Sequence, residues 1–194
     1  MFFVVKAPHN FFCSRTLGIC LLRLLILLFL AGMPGIATAD TSTSSTDRNT
    51  VDRQYKQAVD YYYTLRNNPS LAGKREKWLT GIYELQRIYR IDTKNKRAVI
   101  CLYTIARMYR AMHERFGITE DIDKAVSFYK DIITFFPKGK KADNSLYALA
   151  QIEQEERGDF KQAVQYYDQL MHLYPNSNKK RLVKQQLRKL IATL

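Results

Sequence analysis

Turn-forming residues are scarce in this 194-residue chain: eight Gly and five Pro exclude a fold built on many tight turns, such as a β-sandwich or barrel. Three Cys exclude a disulfide framework, and two of them, Cys13 and Cys20, fall within the opening segment 1–39. That segment holds no Asp or Glu at all, although the whole chain carries 18 acids against 31 Lys and Arg, a formal net charge of +13. Also missing are a Gly-rich phosphate loop, a Ser-centred nucleophile motif and any alternating run that would make a strand. What is present is globular in kind. With 46% apolar, 25% charged and 12% aromatic residues, the chain is excluded from the disordered, collagen-like and polytopic membrane classes.

Segment 1–39 has the build of an address. Lys6, Arg15 and Arg23 precede the apolar run 24–32, and Ala37, Thr38 and Ala39 close the stretch with small residues. A basic head, a short apolar core and a small-residue exit predict a secretory signal peptide over 1–39, cleaved before Asp40. A retained anchor is the alternative. The stretch 24–39 contains Pro34 and falls short of the roughly 20 apolar residues a spanning helix needs. Cys20 is followed by Leu21 and Leu22 rather than by a cleavage point, which excludes a lipoprotein signal. Cleavage leaves Cys101 as the one thiol and, with Lys6, Arg15 and Arg23 removed, lowers the charge from +13 to +10. A periplasmic or secreted location removes nucleic acid as the expected partner of so basic a chain.

Residues 40–50 are nearly all Thr, Ser, Asp and Asn, which predicts a flexible leader. From 51 to 194 the sequence reads as one helical domain. Ile122, Ala125, Val126, Tyr129, Ile132, Ile133 and Phe136 step at helical spacing and end at Pro137, which cannot continue a hydrogen-bond ladder. Shifted by 38, the pattern recurs at Phe160, Ala163, Val164, Tyr167, Leu170, Met171, Tyr174 and Pro175. Asp121 and Asp159 each stand one residue ahead of it, where a carboxylate can cap free amides. A weaker copy runs through Trp78, Gly81, Ile82, Leu85 and Ile88. With helices expected near 51–66, 97–115, 142–157 and 177–192, the sequence predicts an all-α fold of three hairpins and a C-terminal capping helix. Small residues (Ala58, Gly81, Ala106, Ala125, Ala150, Ala163) let the helices approach closely.

Leu149-Ala150 followed by Gly158-Asp159-Phe160, Ala163, Tyr167 and Pro175 resembles a tetratricopeptide (TPR) repeat. Leu102, Ile105-Ala106, Tyr109, Ala125, Tyr129 and Pro137 form the preceding one. The step is 38 rather than 34, a longer loop is expected near 113–119, and the first hairpin matches only loosely. The resemblance implies antiparallel hairpins stacked as a right-handed solenoid with a concave groove for a protein segment. The run 55–192 is also similar to the helical region that precedes the zinc domain in bacterial N-acetylmuramoyl-L-alanine amidases. It shares Trp78 with Ile82, Leu102-Tyr103 with Ala106 and Tyr109, and Ile122 with Ala125 and Tyr129. That second likeness implies a cell-envelope setting and contributes no active site, since the zinc domain of those enzymes has no counterpart before Leu194.

Chemistry-bearing constellations are thin. His113 and His172 lie on different hairpins without the spacing of a metal site, Cys101 reads as a buried structural thiol, and Glu153, Glu155 and Glu156 read as a solvated helix face. No metal, cofactor or catalytic residue is expected, and the chain is predicted to be no enzyme. Tyr61, Tyr62 and Tyr63 cannot all face inward, so at least one of Tyr61 and Tyr63 is expected to be exposed. A partner groove is expected from Tyr103, Arg107 and Arg110 on one helix and Asn144, Tyr147 and Gln151 on the next. Basic clusters at Lys94-Lys96-Arg97, Lys138-Lys140-Lys141 and Lys179-Lys180-Arg181 fall in connections on one edge of such a stack. They predict a rim that attracts anionic lipid, cell-wall carboxylate or an acidic protein; Lys74, Arg75 and Lys77 belong to the opposite rim. The expected function is an exported, periplasmic adaptor binding a protein or peptide segment of the cell envelope. The alternative is the non-catalytic N-terminal part of a peptidoglycan amidase.

Overall fold

A computed structural model describes residues 42–91, 93 and 96–192. Segment 1–39, for which a signal peptide is expected, and Lys94 lie outside the described residues, as does the side chain of Lys96. Among the described residues eight helices follow one another: α1 (Ser42–Asn67), α2 (Pro69–Ala72), α3 (Arg75–Ile91), α4 (Lys96–Phe116), α5 (Thr119–Phe135), α6 (Ala142–Glu155), α7 (Phe160–Leu173) and α8 (Lys180–Ile191). No strand occurs among the described residues, so the all-α architecture holds. Hairpins α1/α3, α4/α5 and α6/α7 stack through α3 on α4 and α5 on α6, and α8 closes the series against α7.

α1 starts at Ser42 and so occupies most of the stretch for which the sequence predicts a flexible leader. Asn49 and Thr50 are exposed there, so no apolar pattern could mark the extension. α2 is one turn inside the first connection. The Asn68 side chain accepts from the Ser70 and Leu71 amides, Pro69 supplies the first helical φ, and the buried Trp78 indole donates to the Ala72 carbonyl at 2.9 Å.

The internal repeat is visible in hydrogen bonds as well as in side chains. Phe136 and Tyr174 end α5 and α7 with nearly the same dihedrals (φ −131°, ψ 50° and φ −128°, ψ 63°), their amides bonding the Ile132 and Leu170 carbonyls. The turns continue alike: the Gly139 amide bonds the Phe136 carbonyl as Ser177 bonds Tyr174, and Ala142 bonds Gly139 as Lys180 bonds Ser177. Tyr129 and Tyr167 are both buried, and each meets a tyrosine of the preceding helix, Tyr103 and Tyr147, with centroids 5.7 and 5.8 Å apart.

Two expectations change at the tip of the second hairpin. The longer loop predicted near 113–119 is only Gly117 and Ile118. The first helices of the two hairpins align at a step of 44 (Tyr103 with Tyr147, Ala106 with Ala150) and the second helices at 38. The additional residues therefore lengthen α4 and α5 by about one turn each, a turn that buries Met112 and Asp121. Asp159 caps α7, its carboxylate accepting from the Gln162 amide at 2.9 Å. Asp121 does not cap: α5 begins earlier, at Thr119, and draws Asp121 into its first turn. There it is fully buried and receives a two-pronged contact from Arg75 of α3, with Nη2 to Oδ1 at 2.8 Å.

The core is in two parts. A large cluster joins α1 through α5 and part of α6, centred on Trp78, Leu85, Ile105, Met108 and Tyr129; a second joins α6, α7 and α8 through Leu146, Tyr167, Leu170, Val183 and Leu190. All six small residues predicted at helix contacts are buried. At Gly81 a β-carbon would lie 2.7 Å from Met108 Cε and 3.0 Å from the Tyr61 ring, so only glycine admits the neighbours as they stand.

Candidate functional site: a basic, tyrosine-lined groove

Residues three or four apart on a helix share a face. On α4 this spacing aligns Tyr103, Arg107, Arg110 and Glu114; on α6 it aligns Asn144, Tyr147 and Gln151. Together with Tyr62 and Arg66 of α1 they line one cavity of about 310 Å³, which Lys179 also borders. The structure thus brings the six side chains expected in a groove into a single concavity. Sequence reasoning placed Lys179 on the basic rim and did not assign Tyr62 or Arg66 to the groove. Tyr62 could be read only as one of three consecutive tyrosines; Tyr63 is the one most turned to solvent.

Aromatic faces carry the cations here. The Arg107 guanidinium lies 5.1 Å from the Tyr62 ring centre and 6.0 Å from that of Tyr103; Lys141 Nζ lies 5.0 Å from Tyr103, and Lys179 Nζ 5.6 Å from Tyr147. Such contacts hold a cation over the negative face of the ring without neutralising it. Burial raises the Tyr62, Tyr103 and Tyr147 hydroxyls above the usual tyrosine range, so they remain neutral donors at physiological pH.

Arg110 behaves differently. It contacts Glu114 at 3.3 Å, Glu155 at 2.9 Å and Glu156 at 3.3 Å, and reaches Gln151 at 3.4 Å. Its charge is used within the molecule, tying α4 to the end of α6. The acidic run is accordingly not the solvated face the sequence suggests. Glu153 is buried and pairs with Arg157 at 3.0 Å, and Glu156 is only half-exposed beside Arg110 and His113. The physical reason is local pairing: Arg157 answers Glu153, and Arg110 and His113 of α4 lie beside Glu155 and Glu156 at the end of α6.

The predicted rim is dissected in the same way. Arg97 forms an ion pair with Asp52 of α1, Lys179 borders the groove, and Lys141 lies over the Tyr103 ring. Lys138, Lys140, Lys180 and Arg181 are exposed. The connections after α5 and α7 do share an edge: the Tyr174 hydroxyl donates to the Pro137 carbonyl at 2.7 Å, and the Ser177 hydroxyl meets Asp143 at 2.6 Å. On the other rim, Arg75 is committed to Asp121, while Lys74 and Lys77 are exposed.

Cys101 is fully buried in α4, and burial pushes its thiol up to about 12. His113 Nδ1 lies 2.9 Å from the Ile118 carbonyl, and His172 is exposed. No cluster of three or more His, Cys, Asp or Glu that could hold a metal occurs among the described residues, and no described helix is long and apolar enough to cross a membrane.

The family description of the tetratricopeptide repeat matches residues 144–177, a stretch that takes in most of α6, all of α7 and the turn that follows. No curated protein matches the chain. Repeats of this kind stack into concave surfaces that bind protein segments; in this chain the matched stretch contributes the Asn144, Tyr147 and Gln151 wall of the groove.

Proposed function

We propose that this chain is an exported, non-catalytic adaptor of the cell envelope that holds a segment of a partner protein in the groove between α1, α4 and α6. One observation carries the reading: the side chains that helical spacing places on the inner faces of α4 and α6 converge on a single concavity whose walls are tyrosine rings, guanidinium groups and carboxamides. Stacked helical pairs offer such surfaces to peptides, and tyrosine and arginine are the side chains that dominate affinity at protein interfaces. The envelope setting rests on the basic head, apolar core and small-residue exit of 1–39 and on the amidase likeness. That likeness is one of sequence pattern; the tyrosine, guanidinium and carboxamide lining of the groove supports the binding reading.

The test is capture of partners from envelope extract by the full chain, with the triple variant Tyr103→Ala, Arg107→Ala, Tyr147→Ala as the comparison. Loss of capture with helicity retained, read by far-ultraviolet circular dichroism, is expected. Unchanged capture moves the binding surface elsewhere. For the location, N-terminal sequencing of the protein recovered from a periplasmic fraction is expected to begin at Asp40.

A further inference from the structure

We propose that the edge of the stack carrying the connections after α3, α5 and α7 lies on an anionic phospholipid surface, with Ile91, Phe135 and Leu173 entering the headgroup layer and Lys138, Lys140 and Lys180 meeting its phosphates. This surface is separate from the groove and does not depend on it. Each of the three apolar residues is the last residue of its helix, α3, α5 or α7. Each also stands three residues beyond a buried core position, Ile88, Ile132 or Leu170. They are nevertheless 52%, 66% and 50% exposed. A lone exposed leucine or phenylalanine is ordinary. A large apolar side chain left in solvent at the same place in every second helix of the stack is a repeated feature, and the core does not account for it.

The connections bring these residues to one edge. The turn 137–141 touches the start of α4, where a β-carbon on Gly139 would lie 3.6 Å from Val99, and the short link 92–95 keeps the end of α3 near that start. On its other side the same turn receives the Tyr174 hydroxyl at the Pro137 carbonyl, and Leu173 shares a shallow hollow with Pro137, Lys138 and Lys140. The charge there is of one sign. No Asp or Glu occurs in 132–142 or in 169–192, and Lys138, Lys140 and Lys180 are exposed. Of the acids that border these stretches, Asp131 is half-buried, and Asp143 accepts from the Ser177 hydroxyl at 2.6 Å and the Asn144 amide at 2.8 Å. A protein interface is built on a contiguous apolar core, whereas these apolar residues stand one to a connection, beside prolines and lysines. That arrangement fits a bilayer surface, where single apolar side chains dip below the headgroups while lysines keep their charge at phosphate depth.

The experiment measures sedimentation of the full chain with phosphatidylglycerol vesicles and with phosphatidylcholine vesicles. Expected is binding to the first that weakens as salt is raised, and little binding to the second. Lys138→Gln with Lys140→Gln and Lys180→Gln should weaken binding about tenfold or more, and so should Phe135→Ser with Leu173→Ser, each with helicity retained. Lys74→Gln with Lys77→Gln, at the other end of α3 from Ile91, should leave it unchanged. Position is read separately: the indole introduced by Phe135→Trp should be quenched by brominated acyl chains, and the parent's buried Trp78 should not. That readout reports this edge whether or not segment 1–39 is still attached. No binding by the parent, or binding that neither set of edge substitutions weakens, would overturn the inference, as would an indole at 135 that brominated lipid leaves unquenched. Capture of an envelope protein that Phe135→Ser with Leu173→Ser abolishes, without vesicle binding by the parent, would give the edge to a protein partner and overturn it as well. The Tyr103, Arg107, Tyr147 triple variant should bind vesicles as the parent does, so failure of the edge and failure of the groove are told apart.

Discussion

Cys101 and Asp121 are both wholly enclosed, and each has a consequence that can be read in solution. The Cys101 thiol sits at about 12 against an ordinary 9, raised by burial. A thiol reacts as its thiolate, so the folded chain should resist a thiol reagent such as DTNB at pH 8 and react fully in urea. The sign of the linkage follows. A raised value means that the fold prefers the protonated thiol, so its contribution is whole below about 9 and is lost as pH climbs from there toward 12. Burial pushes Tyr62, Tyr103 and Tyr129 in the same direction. Urea midpoints should therefore be flat near neutrality and fall steeply above pH 9. Asp121 makes an asymmetric pair with Arg75, whose side chain is 31% exposed while that of Asp121 is 0% exposed. Arg75→Met strands a buried carboxylate and should cost about 2–4 kcal/mol, the first turn of α5 offsetting part of the loss. Asp121→Asn should cost less, about 1–2 kcal/mol, because Arg75 can turn to water. Equal costs in the two variants would contradict this account.

Gly117 and Gly158 occupy one structural position, the left-handed residue between the two helices of a hairpin, each with φ 67° and open space where a β-carbon would stand. The requirement is conformational and not steric. Alanine at either site should cost about 1–2 kcal/mol, and asparagine should recover part of it. Measured melting temperatures of the four single variants check the ranking. The step between the two glycines is 41, between the 44 of the first helices and the 38 of the second, and that mismatch locates the added turn. This is where sequence reading failed. Periodicity fixes which faces of α5 and α7 point inward, because Ala125, Tyr129 and Ile132 must be buried together wherever the helix begins. It does not say whether a short insertion near 113–119 is coil or more helix. Asp121 decided that by meeting Arg75 of α3, and Met112 by joining the large core cluster, contacts between distant parts of the chain that no local pattern carries. Asp121 was misplaced for the same reason, since a carboxylate ahead of an apolar run looks alike whether it caps an amide or meets an arginine 46 positions away.

At the scale of the molecule, the six groove residues were legible because each lies on a helix face already fixed by its buried neighbours. Their pairing was not, because Arg110 is answered by acids at the end of α6, and Lys141 and Lys179 lie over tyrosine rings from connections expected to face solvent. The two core clusters carry a further consequence. In stacked repeats each unit draws its stability from its own packing and from its neighbours only. The third hairpin and α8 share the smaller cluster, centred on Tyr167, Leu170 and Val183, so α7 and α8 should open before α4 and α5 do. Leu170→Ala removes a fully buried side chain from that cluster, at a cost of about 2–5 kcal/mol. Hydrogen exchange should then quicken across 160–192 and change little across 97–135. Ile105→Ala, at the centre of the larger cluster, should quicken exchange in both stretches, because the third hairpin has no other face on which to dock. If Leu170→Ala loosens the whole chain uniformly, the hairpins form one cooperative unit and the repeat has no energetic boundary at α6. A partner segment bridging Tyr103 and Tyr147 crosses that boundary, so its binding should restore protection to α7 and α8 in the Leu170→Ala variant more than anywhere else.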